Sequence, residues 1–529
     1  MTTHNKPFTK LTTDAKRELL AQMLRQRASA SRSINPLSVG QRALWYQYQL
    51  APTSAAYNIG FTARIVSEVN IDALKTAVEK VVERHPQLRT TYVMNKGAPR
   101  MEIHGFLAPG FEQHDASHLS DAELLEKVRN SYRQPFDLQQ GPLLRVALFT
   151  RSATDHVLLL TVHHISSDGW SMGILLNDFK VFYKAAASGT KAVLMPIPQA
   201  YTDFVKTQSR LFESSQGEQL WTYWKNELSG ELPLLNLPLD RQRPPVRRFR
   251  GSTHNFELDN SFYSLIKSLA KSEGVTTYTL LLSVYQTLLM RYSGQEEILI
   301  GAPVAGRTRS EFEPIVGFFI NQIVLRGNLS DNPTFQKLLV RNRQKVMGAL
   351  EHQDYPFAML VEQLQVARDP SHYPIFQVLF NMLQRQTLGS IGSLLDGTAY
   401  DSPVEFGSLK LMPYDFNQQE GQFDLSLEMI DTGSRFLSSL RYNSDVFDET
   451  TVIRIEKHFR MLLKRLLSTS AARIWAYPLS KSSDAIVDPT CPITHENSEI
   501  VHKKKKKIAQ QKPEQIAIVD ATDTWTYAE

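Results

Sequence analysis

The sequence predicts an α/β protein made of two halves of similar size. Its 529 residues exceed the usual range of a single domain, so two lobes or domains are expected. Helix-like and strand-like patterns alternate along the chain. The stretch 232–251 interrupts this alternation with a run rich in proline and arginine, which is typical of a connection between halves. These three observations indicate an α/β (α+β sandwich) architecture in two lobes.

An amphipathic leader precedes the first half. Residues 14–28 place leucine and methionine side chains on one side at helical spacing, which predicts a short helix. Two interpretations of the leader, residues 1–35, stay open. It is either a docking element for an upstream protein or a plain helix packed on the domain. The globular part is predicted to start near Pro36.

The first half, residues 36–230, contains both kinds of periodicity. Apolar residues spaced along 71–82 predict a helix that ends near His85. The continuous apolar run 156–162 predicts a strand that is buried on both faces. The other elements predicted here are a strand at 143–149 and a helix at 171–183.

The second half, residues 231–470, repeats the alternation. Asp431-Thr432-Gly433 is a turn sequence, and it predicts a hairpin between the strands on either side. Residues 471–507 are predicted to be a linker. The predicted elements of this half are helices at 277–292, 334–350 and 449–467 and strands at 297–301, 423–430 and 435–443.

Composition excludes several classes of function. The formal charge of +5 is a mild bias over this length, and no basic stripe with interleaved aromatic residues predicts nucleic-acid binding. No apolar run reaches the roughly 18 residues of a membrane span, and the N-terminus lacks the pattern of a secretory signal. The single cysteine, Cys491, excludes a disulfide framework and a cysteine-based zinc site. It suits a reducing cytosol, so we predict a cytoplasmic protein without a metal site.

Residues 163–169 (HHISSDG) form the one constellation that predicts chemistry. Successive strand residues point to opposite faces, so we expect one histidine to pack inside and the other to face a cleft. Gly169 permits a tight turn, and Ser171 is a candidate cap for the next helix. A purely structural interpretation is that both histidines are buried and satisfied while Asp168 caps the helix.

Other motifs that occur in order along the chain favour a catalytic interpretation of this segment. It resembles the HHxxxDG motif of condensation domains of nonribosomal peptide synthetases, and further motifs of that family follow in order over roughly 36–470. The arginine of the first motif stands at position 42 rather than at 43, where Ala43 is found. The segments that resemble the family are 38–45 (SVGQRALW), 84–91 (RHPQLRTT), 135–138 (PFDL) with 141–145 (GPLLR), 201–204 (YTDF), 317–321 (GFFIN) with 325–326 (LR), 352–357 (HQDYPF) and 368–371 (RDPS).

The resemblance implies a fold and an activity. It implies two lobes of the chloramphenicol acetyltransferase type in a V-shaped pseudo-dimer, with the active site in a tunnel between them. The implied reaction is amide bond formation between a donor acyl thioester and an acceptor aminoacyl thioester. Both groups are carried on 4'-phosphopantetheine arms of partner carrier proteins, upstream and downstream, and this chain is expected to bind no cofactor of its own. An adenylation domain is a further implied partner.

The resemblance also assigns roles to residues. His164 matches the catalytic position, where a neutral imidazole would orient the acceptor amine and take its proton. The backbone N–H of Gly169 is the candidate oxyanion donor. Asp168 and His163 are expected to be structural, and Arg307 in PVAGR is the expected partner of Asp168. The residues that we expect to line the tunnel are Asn321, Trp170 and Ser171, although a polar residue at a strand end explains Asn321 nearly as well.

Two alternative functions are weighed against condensation. An epimerisation domain shares HHxxxDG, but 318–326 (FFINQIVLR) and 352–357 favour condensation. A catalytically silent docking domain usually loses the histidine or the aspartate, and both are present here.

Residues 508–529 resemble the opening strands of an adenylation domain and stop before its phosphate loop, so we expect an excised or truncated piece without adenylation activity. Segments 61–65 and 418–425 resemble condensation domains that follow polyketide modules, which suggests an upstream polyketide synthase.

Overall fold

The chain consists of two compact units, Met1–Tyr477 and Pro478–Glu529, in a computed structural model. The described residues are 32–367, 369–385, 392–395, 402–416, 421–477 and 479, together with the strands 516–519 and 524–526. The leader helix predicted at 14–28 and most of the predicted linker lie outside them. The second unit contributes one antiparallel strand pair, Ile516–Val519 with Thr524–Thr526, within the segment predicted to hold opening strands.

The predicted order of helices and strands in the first unit is confirmed, with element ends shifted by a few residues. The helices are α1 (Val39–Leu50), α2 (Ile71–Arg84), α3 (Asp121–Tyr132), α4 (Gly169–Ser188), α5 (Tyr201–Phe212), α6 (Ser215–Glu227), α7 (Asn260–Ser272), α8 (Thr277–Ser293), α9 (Phe335–Glu351), α10 (Phe357–Gln363), α11 (Gly392–Leu395) and α12 (Glu449–Ser468). The strands are β1 (Arg32–Pro36), β2 (Asn58–Ile65), β3 (Thr90–Asn95), β4 (Ala98–His104), β5 (Gly110–Asp115), β6 (Leu144–Ser152), β7 (Asp155–His163), β8 (Gly251–Leu258), β9 (Glu297–Val304), β10 (Asn321–Asn328), β11 (Val378–Gln384), β12 (Val404–Phe406), β13 (Leu409–Pro413), β14 (Leu425–Asp431) and β15 (Phe436–Asn443).

Two six-stranded sheets form the framework of this unit. The first has the order β12-β13-β2-β7-β6-β5 and the second the order β10-β9-β11-β14-β15-β8. Pairing is antiparallel except for β5 with β6 and for β11 with its neighbours β9 and β14. The two-lobed α/β prediction is therefore confirmed, and a small sheet of β1, β4 and β3 accompanies the first lobe.

Local sequence explains why α2 and α4 pack on the first sheet. Ala73, Leu74, Ala77 and Val78 recur at helical spacing on α2 and are buried in one cluster with the apolar residues of β2, β6 and β7. Helix α4 contributes Leu175, Leu176 and Phe179 to the same cluster. The central strand β7 is buried at almost every position, as its continuous apolar sequence predicts.

The division at residue 230 differs from the observed connectivity. Strands β12 and β13 follow the second lobe in sequence but pair with β2 in the first sheet, through Leu411 opposite Ile65 and Pro413 opposite Ala63. Phe406, Leu409 and Leu411 join the first lobe's core. Apolar faces on these short strands complete that core, and sequence position alone does not indicate this exchange.

The two ends of the compact unit also extend beyond the predicted boundaries. Residues 32–36 form β1, paired with β4, although the sequence pattern places residues 32–35 in the leader. Residues 471–477 belong to the folded unit rather than to a linker, because Ile474 and Tyr477 are buried and Arg473 bridges to Thr334. Within the part of the chain that the structure describes, no helix is long and apolar enough to cross a membrane.

Candidate active site

The HHISSDG segment is the connection between β7 and α4. Strand β7 ends at His163, a 3-10 turn covers His164–Ser166, and α4 starts at Gly169. The hydroxyl of Ser166 donates to the carbonyl of His163 at 3.0 Å, which closes the turn. A buried strand therefore delivers the segment to a helix start within a few residues.

His163 lies in the protein interior. Its Nδ1 accepts a hydrogen bond from the backbone N–H of Ile165 at 3.1 Å, and its ring contacts those of Tyr57 and Phe136. Burial, with a smaller contribution from His164 and Arg145, lowers the pKa of His163 to about 3. The side chain is therefore a neutral packing group at physiological pH.

His164 faces the interlobe cavity. Its Nδ1 lies 2.9 Å from the carbonyl oxygen of Ser167, and since a carbonyl can only accept, Nδ1 carries the proton. Nε2 of the neutral ring is then an unprotonated acceptor. Burial lowers the pKa of His164, although the charge of Asp168 opposes the shift. The ring packs edge-on against Phe318, so a neutral imidazole is held in one orientation.

The physical reason that separates the two histidines differs from the one predicted. Strand alternation does not extend to His164, which already belongs to the 3-10 turn. The backbone N–H of His164 donates to the carbonyl of Tyr57 at 2.8 Å, and this bond sets the direction of the turn. The interior and cavity positions are as expected, but the turn produces them.

Asp168 and Arg307 form a buried ion pair between the lobes. Arg307 donates through Nη1 to Oδ2 of Asp168 at 2.8 Å and through Nη2 to Oδ1 at 3.2 Å. Both side chains are only 2% exposed. Asp168 also accepts from the backbone N–H groups of Ser171 and Phe319, at 2.8 and 3.0 Å. The carboxylate is therefore committed to structure, and it also caps α4.

The sequence predicts Ser171 and Trp170 in the tunnel, but neither residue is among those that line the cavity. Ser171 is fully buried, and its hydroxyl donates to the carbonyl of Gly317 at 3.0 Å while accepting from Arg307. It is not the helix cap either, because Asp168 occupies that position. Trp170 is 40% exposed, and its indole N–H donates to the carbonyl of Glu313 at 3.0 Å. Residues of a first helical turn point in different directions, which explains both departures.

Gly169 and Asn321 do line the cavity. Gly169 is the first residue of α4, and among the described residues its N–H has no hydrogen-bond acceptor, as expected at a helix start. The side-chain amide of Asn321 forms hydrogen bonds with the chain segment that follows α9. It donates to the carbonyls of Gln353 and Tyr355 and accepts from the N–H of Phe357. Both N–H donors of its amide are therefore used within the wall.

The predicted tunnel corresponds to a cavity of about 1760 Å³ between the two sheets. The first lobe contributes Tyr57 and His164, and the second contributes Tyr373 and Ser426. The crossover between the lobes adds Arg247 and Phe249. A space of this size accommodates a ligand larger than a typical small molecule.

Sequence reasoning missed the residues that support the His164 turn from outside. Gln41 is completely buried on α1, and its Nε2 donates to the carbonyl of Ile165 at 3.0 Å and to Tyr92 at 3.0 Å. The Tyr201 hydroxyl donates to the carbonyl of Phe318 at 2.6 Å and lies 2.9 Å from the Ser38 hydroxyl. Most of these residues occur in the family motifs, but the sequence carries no signal of where their hydrogen bonds go.

Comparison with known proteins agrees with this geometry. The family model described as "Condensation domain" matches residues 31–484. A linear gramicidin synthase polypeptide from Brevibacillus parabrevis is 35% identical over 508 residues, which is 93% of this chain and 6% of that protein. Chondramide synthase cmdD from Chondromyces crocatus is 35% identical over 496 residues, which is 92% of this chain and 12% of that protein. The chain thus spans only a small part of these relatives.

A solved structure shows the same fold. The crystal structure of a four domain nonribosomal peptide synthetase bound to AMP and glycine superposes with a TM-score of 0.79 at 24% identity, over 96% of this chain and 39% of that one.

Proposed function

The chain belongs to the condensation-domain family, and on that premise we propose that it joins two carrier-bound groups through an amide bond. The donor is an acyl or peptidyl thioester and the acceptor is an aminoacyl thioester, each on the phosphopantetheine arm of a carrier protein. The observation that carries the proposal is the free Nε2 of His164, fixed towards an interlobe cavity of about 1760 Å³.

The reaction needs orientation more than it needs a strong base. A free α-amine has a pKa near 7.7–8.0, so an appreciable fraction is neutral at pH 7. The amine nitrogen attacks the thioester carbon, its proton passes to Nε2 of His164, and the C–S bond of the tetrahedral intermediate then breaks. The departing thiolate takes up the proton, which leaves the amide, a free pantetheine thiol and neutral His164.

The start of α4 supports the negative charge that develops on the thioester oxygen. The N–H of Gly169 has no acceptor among the described residues and lies at the positive end of a 20-residue helix. We assign it as the oxyanion donor. Asp168 and Arg307 act indirectly, because their ion pair holds the helix start beside the segment around Phe319.

The proposal includes partners and location. The carrier proteins come from the upstream and downstream sides and supply the pantetheine arms, with an adenylation domain loading the acceptor carrier. The likeness of segments 61–65 and 418–425 to domains that follow polyketide modules supports a polyketide synthase as donor source. The single cysteine supports placement in the cytoplasm.

The decisive experiment measures amide formation directly. Donor and acceptor carriers are loaded with defined thioesters, and the product is followed by mass spectrometry for the wild type and for His164→Ala. Loss of the proton acceptor should lower the rate on the order of 100-fold or more. His118→Ala, which changes an exposed histidine of the same chain, should leave the rate unchanged. Undiminished product from His164→Ala would contradict the proposal.

A further inference from the structure

Arg247 brings a guanidinium to the wall of the interlobe cavity. It lies on the crossover between the two lobes, and its backbone N–H donates to the carbonyl of Pro370 at 3.0 Å. The guanidinium carbon lies 5.1 Å from the ring centre of Phe249 and 5.4 Å from that of Tyr373. The two aromatic rings contact the guanidinium, and the backbone hydrogen bond fixes the chain that carries it.

Two of the guanidinium nitrogens of Arg247 have no hydrogen-bond acceptor among the residues that the structure describes. Nε and Nη1 are both buried and have no hydrogen-bond acceptor, and the side chain makes no ion pair with any residue that the structure describes. A guanidinium stays charged at every physiological pH. A buried donor without an acceptor is costly, more so when it carries charge. Such a group inside a binding cavity is completed by a ligand that brings an acceptor.

The carboxylates of the neighbouring segments are already engaged. Asp424 accepts both Nη1 and Nη2 of Arg243, at 2.8 and 2.5 Å. Asp369 lies on the cavity wall, but its carboxylate accepts from the Ser371 hydroxyl and contacts the ring of His372. Neither carboxylate forms an ion pair with Arg247, because each is paired with another side chain.

We propose that Arg247 is a specificity-determining residue that binds a carboxylate on one of the carrier-delivered acyl groups. The inference rests on the proposed function, because that function is what brings acyl thioesters into the cavity. A carboxylate matches the guanidinium in charge and accepts two parallel N–H bonds from its edge. The carboxylate belongs either to the donor acyl group or to the side chain of the acceptor amino acid, and the two sources share this chemistry.

Binding tests the proposal without any turnover. The probes are two unreactive pantetheine thioethers of matched shape, S-(3-carboxypropyl)pantetheine and S-(4-methylpentyl)pantetheine, titrated calorimetrically. Wild-type protein should prefer the carboxylate, and Arg247→Gln should lose this preference by on the order of 10- to 100-fold in Kd, the range of a hydrogen bond to a charged group. Arg248→Gln removes the adjacent, exposed arginine and should keep the wild-type preference. Arg247→Lys retains the charge without the fork and should fall between them.

Turnover identifies the source of the carboxylate. Glutaryl and 5-methylhexanoyl donors form one isosteric pair, and aspartyl and leucyl acceptors form the other. Arg247→Gln should lower kcat/KM by a similar 10- to 100-fold for the carboxylate member of one pair. For the apolar member of that pair, kcat/KM should stay within about twofold of the wild-type value. The substrate pair whose carboxylate member is affected shows whether the donor or the acceptor carries the carboxylate.

The outcomes separate the two proposals. Equal loss for carboxylate and apolar probes in Arg247→Gln, or no loss for either, overturns the specificity role. If no amide forms from any pair, the proposed function fails, while the calorimetric comparison still decides on Arg247. Should Arg247→Gln prove unfolded by circular dichroism, Arg247→Lys supplies the same comparison, and an unchanged preference there together with full stability would count against the fork geometry.

Discussion

Two adjacent histidines, His163 and His164, have lowered pKa values for the same reason but with different consequences. Burial disfavours the charged form of each ring. For His164 this keeps Nε2 available as an acceptor facing the cavity at neutral pH. For His163, which packs between Tyr57 and Phe136, the same burial affects only the stability of the fold.

The shift at His163 predicts a loss of stability in acid. Its pKa is about 3 in the folded protein and 6.5 for an unperturbed histidine, so below about pH 6.5 the unfolded chain binds a proton that the folded chain does not. Stability is therefore full above pH 6.5 and falls as the pH drops towards 3. At pH 5 this site should cost on the order of 2 kcal/mol.

Urea unfolding of the wild type and of His163→Phe at pH 7 and pH 5 checks this. The variant loses the acceptor for the N–H of Ile165 and should be less stable at pH 7, but its stability should change less between the two pH values. His118→Phe, at an exposed position, serves as the control. An identical pH dependence in His163→Phe and the wild type would assign the acid loss to other groups.

At the scale of elements, the ion pair of Asp168 and Arg307 joins the start of α4 to the other lobe. Each partner also holds backbone: Asp168 accepts from Phe319, and Arg307 donates to the carbonyl of Ile315 at 3.1 Å. One carboxylate thus supports three features. It caps α4, it joins the two lobes, and it orients Gly169. Asp168 is therefore placed to support the site through the protein groups that it holds.

Asp168→Asn should therefore destabilise the fold as well as slow the reaction. It leaves the Arg307 charge buried without its partner, which typically costs about 3–5 kcal/mol. Removing both charges, in Asp168→Asn with Arg307→Met, should cost less than the single change. Chemical denaturation and the condensation rate are measured together.

The matched control is Asp155→Asn. Asp155 makes an equally bidentate pair with Arg64, but the two side chains are 24% and 37% exposed, so its loss should cost under about 1 kcal/mol. If Asp168→Asn were as stable as the wild type and merely slow, the assignment of Asp168 as structural would be wrong.

At the scale of the whole molecule, the lobes of the first unit are not independent domains. Strands β12 and β13, which follow the second lobe in sequence, complete the sheet of the first. Without them β2 becomes an edge strand with unpaired backbone groups, and the first core loses Phe406, Leu409 and Leu411. The active-site cavity needs both lobes for the same reason that the fold does.

Residues 32–230 expressed alone should therefore aggregate or lack a cooperative transition, whereas residues 32–477 should unfold cooperatively. An exposed apolar edge strand is a template for association, which gives the expected direction. Thermal unfolding and size-exclusion chromatography of the two fragments provide the measurement. A monomeric 32–230 fragment with a sharp transition would show that the strand exchange is dispensable.

The amino-acid sequence by itself determined the local elements and the place of the chemistry. Helical and strand periodicities are properties of neighbouring residues, so α2, α4, β7 and the hairpin of β14 and β15 follow from them. The strand, turn and helix start around His164 are local in the same sense.

Only the tertiary structure decided which distant groups meet. It showed β13 beside β2, Ser171 buried against Gly317, and Nε and Nη1 of Arg247 without an acceptor among the described residues. These contacts depend on pairing and burial between segments that are far apart in sequence. Local sequence patterns do not indicate which of several possible partners a segment contacts.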